Sequence, residues 1–185
     1  MIFRHCSLAI LATLASGASA QTTAPAAPAA PPPPACTAPE HRQFDFWAGY
    51  WDVYPTGQTT LVAHSLIEKL YAGCAIRENW MPLKGTGGGS LNNYVTEDKR
   101  WHQTWVDSSN ARVEFAGGLV AGKMVLVGDW KGVLGPGQDA VTRMTYSKGA
   151  DGSVRQFGET SVDFGTTWQP SFDFTYKPSK DPAPK

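Results

Sequence analysis

Along residues 40–178 apolar and polar side chains alternate in short runs broken by glycine-rich turns. Val62, His64, Leu66, Glu68 and Leu70 alternate with Leu61, Ala63, Ser65, Ile67 and Lys69. That is the period of a long strand, although the same run also fits a helical period. Further runs at 50–54, 75–81, 91–95, 101–106, 113–116, 124–130, 141–146, 154–160 and 171–177 read as strands. Residues 43–48 suggest a short helix leading into the first of them. The polar stretch 96–100 reads as a hairpin turn. Gly85 with Gly87, Gly88 and Gly89, then Gly117-Gly118, Gly135-Pro136-Gly137 and Asp151-Gly152, read as turns or loops. Regularly spaced strands without intervening helices predict an all-β fold. Closing the meander would remove its exposed edges, so a single antiparallel up-and-down barrel with little helix leads, with a sandwich second.

The ends differ from this body. Arg4 and His5 precede an apolar run at 8–15, and Ala18-Ser19-Ala20 follows as a small-x-small cleavage pattern. The run is shorter than the ~20 residues of a membrane span. Residues 1–20 are therefore expected to be a removable signal peptide, with no transmembrane helix in the mature protein. Residues 21–39, nearly all Ala, Pro and Thr around Pro31-Pro32-Pro33-Pro34, predict a disordered, extended tether. The barrel domain is expected at 40–178 and a disordered tail at 179–185, and the destination is the periplasm or the exterior.

Export changes the reading of the cysteines. Cys6 leaves with the signal, and Cys36 and Cys74 remain in an oxidising compartment, where a disulfide between them is expected. Charge excludes one partner class. The chain has 16 Lys+Arg and 16 Asp+Glu; removing Arg4 leaves 15 against 16, a net charge of −1. With no basic run, nucleic acid and anionic membrane surfaces are not expected partners.

The stretch Phe44-Asp45-Phe46-Trp47-Ala48-Gly49-Tyr50-Trp51-Asp52-Val53 contains Gly49-Tyr50-Trp51, a Gly-x-Trp tripeptide. It is followed in order by Leu70-Tyr71-Ala72-Gly73-Cys74, Gly89-Ser90-Leu91-Asn92-Asn93-Tyr94, Trp101-His102-Gln103-Thr104-Trp105-Val106-Asp107 and Phe174-Thr175-Tyr176-Lys177. In this series the chain resembles a lipocalin-like (calycin) bacterial family classed as a domain of unknown function. The resemblance covers roughly residues 44–177. It implies a calycin-like barrel with Trp51 plugging the closed end, and no established activity. A cation from a late strand, Arg143, Arg155 or Lys177, is expected beside Trp51. Haem-binding relatives of this barrel class use a late histidine, and none follows His102 here, so no cofactor is expected.

Most other motifs have plain structural readings. Ser161-Val162-Asp163-Phe164-Gly165-Thr166-Thr167-Trp168 matches the Asp-box pattern of sialidases, but a single box in a domain this size reads as a hairpin with Trp168 packed beneath it. The glycine run at 85–89 lacks a P-loop ending and reads as a flexible barrel-mouth loop. His41, His64 and His102 have no metal-ligand spacing, and His64 reads as an interior histidine. Ser108, His102 and Asp107 crowd one strand end without a nucleophile elbow. Glu78 and Glu114 are two carboxylates among sixteen acidic residues and carry no weight as a glycosidase pair.

Trp and Tyr serve both cores and binding cups. Glu78 with Trp80, Asn92 with Tyr94, and Gln103 with Trp105 each lie two apart, hence on one strand face, and their three strands are consecutive. These six are expected to line one cavity for a small apolar or amphipathic ligand. A one-residue slip would instead turn Arg77, Asn79, Asn93, His102 and Thr104 inward. A structural or interaction module with a filled barrel is the rival from another class, and an uncharacterised hydrolase comes third.

Overall fold

In a computed structural model, which describes residues 36–184, ten strands run in simple order. They are β1 (Gly49–Pro55), β2 (Ala63–Leu70), β3 (Ala75–Pro82), β4 (Gly88–Val95), β5 (Arg100–Asp107), β6 (Arg112–Val120), β7 (Lys123–Trp130), β8 (Ala140–Lys148), β9 (Val154–Ser161) and β10 (Gln169–Pro178). Each pairs antiparallel with the next, and β10 returns to pair with β1, closing an all-β up-and-down barrel. Closure leaves no strand edge unpaired. The expected signal peptide and the tether up to residue 35 lie outside the described residues. Among the described residues no helix is long and apolar enough to cross a membrane.

Alternation sets the two faces. On β8, Ala140, Thr142, Met144 and Tyr146 point inward and are buried, while Val141, Arg143 and Thr145 between them are half-exposed. The helix expected at 43–48 is replaced by two 3-10 turns, Pro39–Arg42 and Asp45–Trp47. They lie across one end of the barrel. Phe44 and Trp47 are fully buried there, stacked 4.9 Å apart, and both rings meet Tyr146. Trp51 completes the plug: it is buried, its Nε1–H donates to the Trp47 carbonyl at 2.9 Å, and its ring meets Tyr176 edge-on.

Gly49 explains how so large a ring fits. At φ +150° the backbone is in a region that favours glycine, and a Cβ there would lie 3.2 Å from the Trp51 indole. None of the three cations expected as neighbours of Trp51 stands beside it. Arg143, Arg155 and Lys177 stand on outward positions of their strands, over Trp168, Phe157 and Tyr54 respectively. Facing outward, Arg143 and Arg155 also pair with Glu159 and Asp173.

The plug is tied to the wall by the Cys36–Cys74 disulfide. Beside it Arg42 donates from Nη2 to the carbonyls of Cys36, at 2.9 Å, and Gly73. Two glycine pairs expected as turn or loop residues prove to be strand residues. Gly117 and Gly118 lie within β6, where a Cβ on Gly117 would stand 1.9 Å from the Val125 carbonyl oxygen. Gly88 and Gly89 open β4, and a Cβ on Gly89 would stand 2.5 Å from the Glu78 carbonyl oxygen. Gly88, Gly89 and Gly117 serve close backbone approach between strands, whereas a Cβ on Gly118 would meet open space. His64 also departs from expectation: it faces outward, stacked on Tyr50 and 3.0 Å from Asp52.

The Asp-box segment forms the β9–β10 turn. Asp163 accepts the Thr167 N–H at 2.8 Å, Ser161 Oγ accepts the Gly165 N–H at 2.8 Å, and Trp168 donates back to the Gly165 carbonyl. It is a self-contained hairpin.

Candidate functional site

The end of the barrel opposite the plug is open. Inward positions at the ends of β3, β5 and β7 and the start of β10 carry Trp80, Trp105, Trp130, Phe172 and Phe174, all half-buried. They ring a cavity of about 200 Å³. Gly158 allows the Phe172 ring to lie on the wall, since a Cβ there would stand 2.2 Å from that ring. One level deeper the lining changes to Glu78, Gln103, Met144, Tyr146, Gln156 and Tyr176, with Phe115 from β6. The site is thus an aromatic mouth over a polar floor.

Of the six residues expected here, Glu78, Trp80, Gln103 and Trp105 line the cavity. Asn92 also faces inward and is fully buried, but it does not line the cavity. Its Nδ2 donates to the Ile76 carbonyl at 3.1 Å and to Ser90 Oγ at 3.0 Å, and its Oδ1 accepts from Gln103 Nε2 at 2.7 Å. It orients Gln103. Tyr94 is at the plugged end, edge-on to His41 and beside Trp101, away from the cavity. The slipped register is not adopted: Arg77 and Asn79 are exposed, and Asn93, His102 and Thr104 stand on the outer face.

The far half of the cavity comes from strands whose contribution the sequence analysis did not single out. Met144, Tyr146, Gln156, Phe172, Phe174 and Tyr176 lie on β8, β9 and β10, across the barrel from β3, β4 and β5. Their two-residue spacing was a readable signal, but only once closure places those strands opposite the first wall. Ser65 and Ser90 were also missed. Each is buried and donates to Glu78, at 3.3 Å to Oε1 and 3.0 Å to Oε2.

Among the described residues Glu78 is the one buried acid, and no basic side chain is paired with it. Burial pushes its carboxyl up to about 7, against the Ser90 and Ser65 hydroxyls, which favour the charged form. Tyr146 and Tyr176 are raised above the ordinary phenol range by burial and then by the nearby Glu78, so both stay neutral. Tyr176 OH donates to Gln156 Oε1 at 2.6 Å, and Gln156 Nε2 donates to Tyr146 OH at 2.9 Å.

The carboxyl ties stability to pH. A folded-state value of about 7 against 4.5 means the native protein keeps a proton the unfolded chain has lost. Stability is therefore expected to fall as pH rises from 4.5 to 7, by about 3 kcal/mol from this group. Glu78→Gln should remove that loss. Urea unfolding of the two proteins at pH 5 and pH 8 should show the variant gaining on the wild type at the higher pH only, and an equal difference at both would refute the assignment.

The alternative catalytic groupings do not assemble. His102 Nε2 is 2.7 Å from Asp98, Asp107 binds the Ser109 and Ala111 N–H groups, and Ser108 donates to the Gly87 carbonyl. Glu114 lies on the outer face with Arg112 and Thr104, on the other side of the wall from Glu78. Among the described residues no three His, Cys, Asp or Glu side chains come together as a metal site would need. No protein-family model matches the chain, and no curated protein matches it.

Proposed function

We propose that this is an exported lipocalin-like barrel that binds one small amphipathic molecule in its open end. The observation that carries the reading is the cavity's two-level lining, aromatic at the mouth and hydrogen-bonding at the floor. Ligand sites are typically apolar clefts with a few placed polar groups, and an ionisable group with a strongly shifted pKa inside one adds weight. A barrel serving only as a structural module has no need of such a space. Ser65 and Ser90, the hydroxyls that touch Glu78, do not line the cavity, which favours holding a molecule over transforming it. The leader-like residues 1–20 and the Cys36–Cys74 disulfide support export, because disulfides persist in oxidising compartments. Gly49-Tyr50-Trp51, with Trp51 in the plug, supports kinship with the lipocalin-like family.

The uncharged fluorophore N-phenyl-1-naphthylamine tests the reading. Its emission should rise on mixing with the protein and saturate at one molecule per chain. Met144→Trp, which places an indole in the cavity, should abolish the rise. Enhancement that survives this substitution would put binding elsewhere, and none with the wild type would count against an open apolar site.

A further inference from the structure

We propose that the bound molecule is a cation, an amphipathic amine whose protonated nitrogen sits on Glu78 with its apolar body under the tryptophan ring. This inference rests on the binding reading above and narrows it to one ligand chemistry.

The hydrogen bonds of the floor run in one direction. Asn92 Nδ2 spends its protons on the Ile76 carbonyl and on Ser90 Oγ. Gln103 Nε2 donates to Asn92 Oδ1 at 2.7 Å and toward Ser90 Oγ at 3.5 Å. Ser90 Oγ, accepting these, turns its single proton to Glu78 Oε2. On the other wall Gln156 Nε2 is spent on Tyr146 OH and Met144 Sδ, and Tyr176 OH on Gln156 Oε1. The amide donors of the floor are therefore consumed within the protein. What it still offers is acceptor capacity, most of it on Glu78: an ionised carboxylate has about four acceptor positions, and the two serines use two of them.

Charge points the same way. From β2, Ser65 faces Glu78; from β4, Ser90; across the barrel, the neutral phenols Tyr146 and Tyr176. No cationic side chain faces it among the described residues. Its chain neighbour Arg77 points outward onto Glu68, and Arg143 and Arg155 point outward onto Glu159 and Asp173. Removing one partner of a buried ion pair is costly because it leaves an uncompensated charge. Once it gives up its proton above about pH 7, this carboxylate is in that condition until a cation arrives. Above it, Trp80, Trp105 and Trp130 line the cavity. Indole faces attract desolvated cations, most of all alkylated ammonium groups. A neutral apolar ligand would use the rings and leave the carboxyl unpaired; an anion would be repelled by it.

Three probes of one shape separate these cases: 2-phenylethylammonium, 2-phenylethanol and phenylacetate, titrated by isothermal calorimetry. At pH 8 the ammonium should bind at least tenfold more tightly than the alcohol, and phenylacetate should not bind. Between pH 8 and pH 5.5 the ammonium affinity should fall roughly thirtyfold as Glu78 takes up its proton, while the alcohol affinity stays level. Glu78→Gln should bring ammonium and alcohol together at both pH values; the wild-type pH profile stands on its own if that variant does not fold. Equal or tighter binding of the alcohol, or binding of phenylacetate, overturns the inference and leaves the binding reading intact. Failure of all three probes to bind also overturns it, and N-phenyl-1-naphthylamine then reports separately whether the cavity takes up a neutral molecule.

Discussion

Trp51→Ala is expected to lower the free energy of unfolding by about 3–5 kcal/mol, the usual cost of truncating a buried tryptophan. The indole is 5 % exposed, lies over Gly49, and meets Tyr176 edge-on. Its truncation also leaves the buried Trp47 carbonyl without the 2.9 Å hydrogen bond it receives. The cavity at the other end is lined by none of these groups except Tyr176, so the loss should appear in denaturant midpoints more than in ligand affinity. Trp51→Phe separates the two contributions: it keeps most of the ring and should lose about 1–3 kcal/mol for the unsatisfied carbonyl and the lost contacts. A near-neutral Trp51→Ala would mean that Phe44 and Trp47 close the barrel without it.

Breaking the Cys36–Cys74 bond is the second large perturbation. The two cysteines are 38 residues apart, and closing such a loop restricts the unfolded chain by roughly 4 kcal/mol in the chain-entropy model. The bridge also holds the start of the plug segment against the wall, where Arg42 binds the carbonyls on both sides of it. The double variant Cys36→Ser, Cys74→Ser should therefore unfold at markedly lower urea than the wild type. Thiol labelling of the unreduced, denatured wild-type protein should find neither of these cysteines reactive. A loss below about 1 kcal/mol, or two reactive thiols, would contradict the bridge's role as the tie of the plug.

The strand order was legible because the two-residue alternation is strong on nearly every strand. On β8 it runs without interruption from Ala140 to Tyr146, and the turn chemistry of Asp151-Gly152 marks the reversal into β9. Glycine was ambiguous. Gly117 and Gly89 have the look of turn residues, yet each is required where two backbones approach too closely for a Cβ. Nothing local distinguishes those uses. Alternation also gives a face and not a depth, which is why Tyr94 was placed with Gln103 and Trp105 although its position near the end of β4 takes it to the plug. Alternation already separated Glu78 from Arg77, which the pleat sends outward to Glu68. That the facing strands also turn no cation toward Glu78 could be seen only once closure set them opposite it.

The central claim, that the open end of the barrel holds one small molecule, is tested most directly by native mass spectrometry. The protein would be isolated gently from the cells that make it, and the wild type compared with Met144→Trp. The account predicts one added small mass per wild-type chain, released when the protein is denatured and absent from the variant. A wild-type spectrum showing only the bare polypeptide mass, or the same added mass on both proteins, would contradict it.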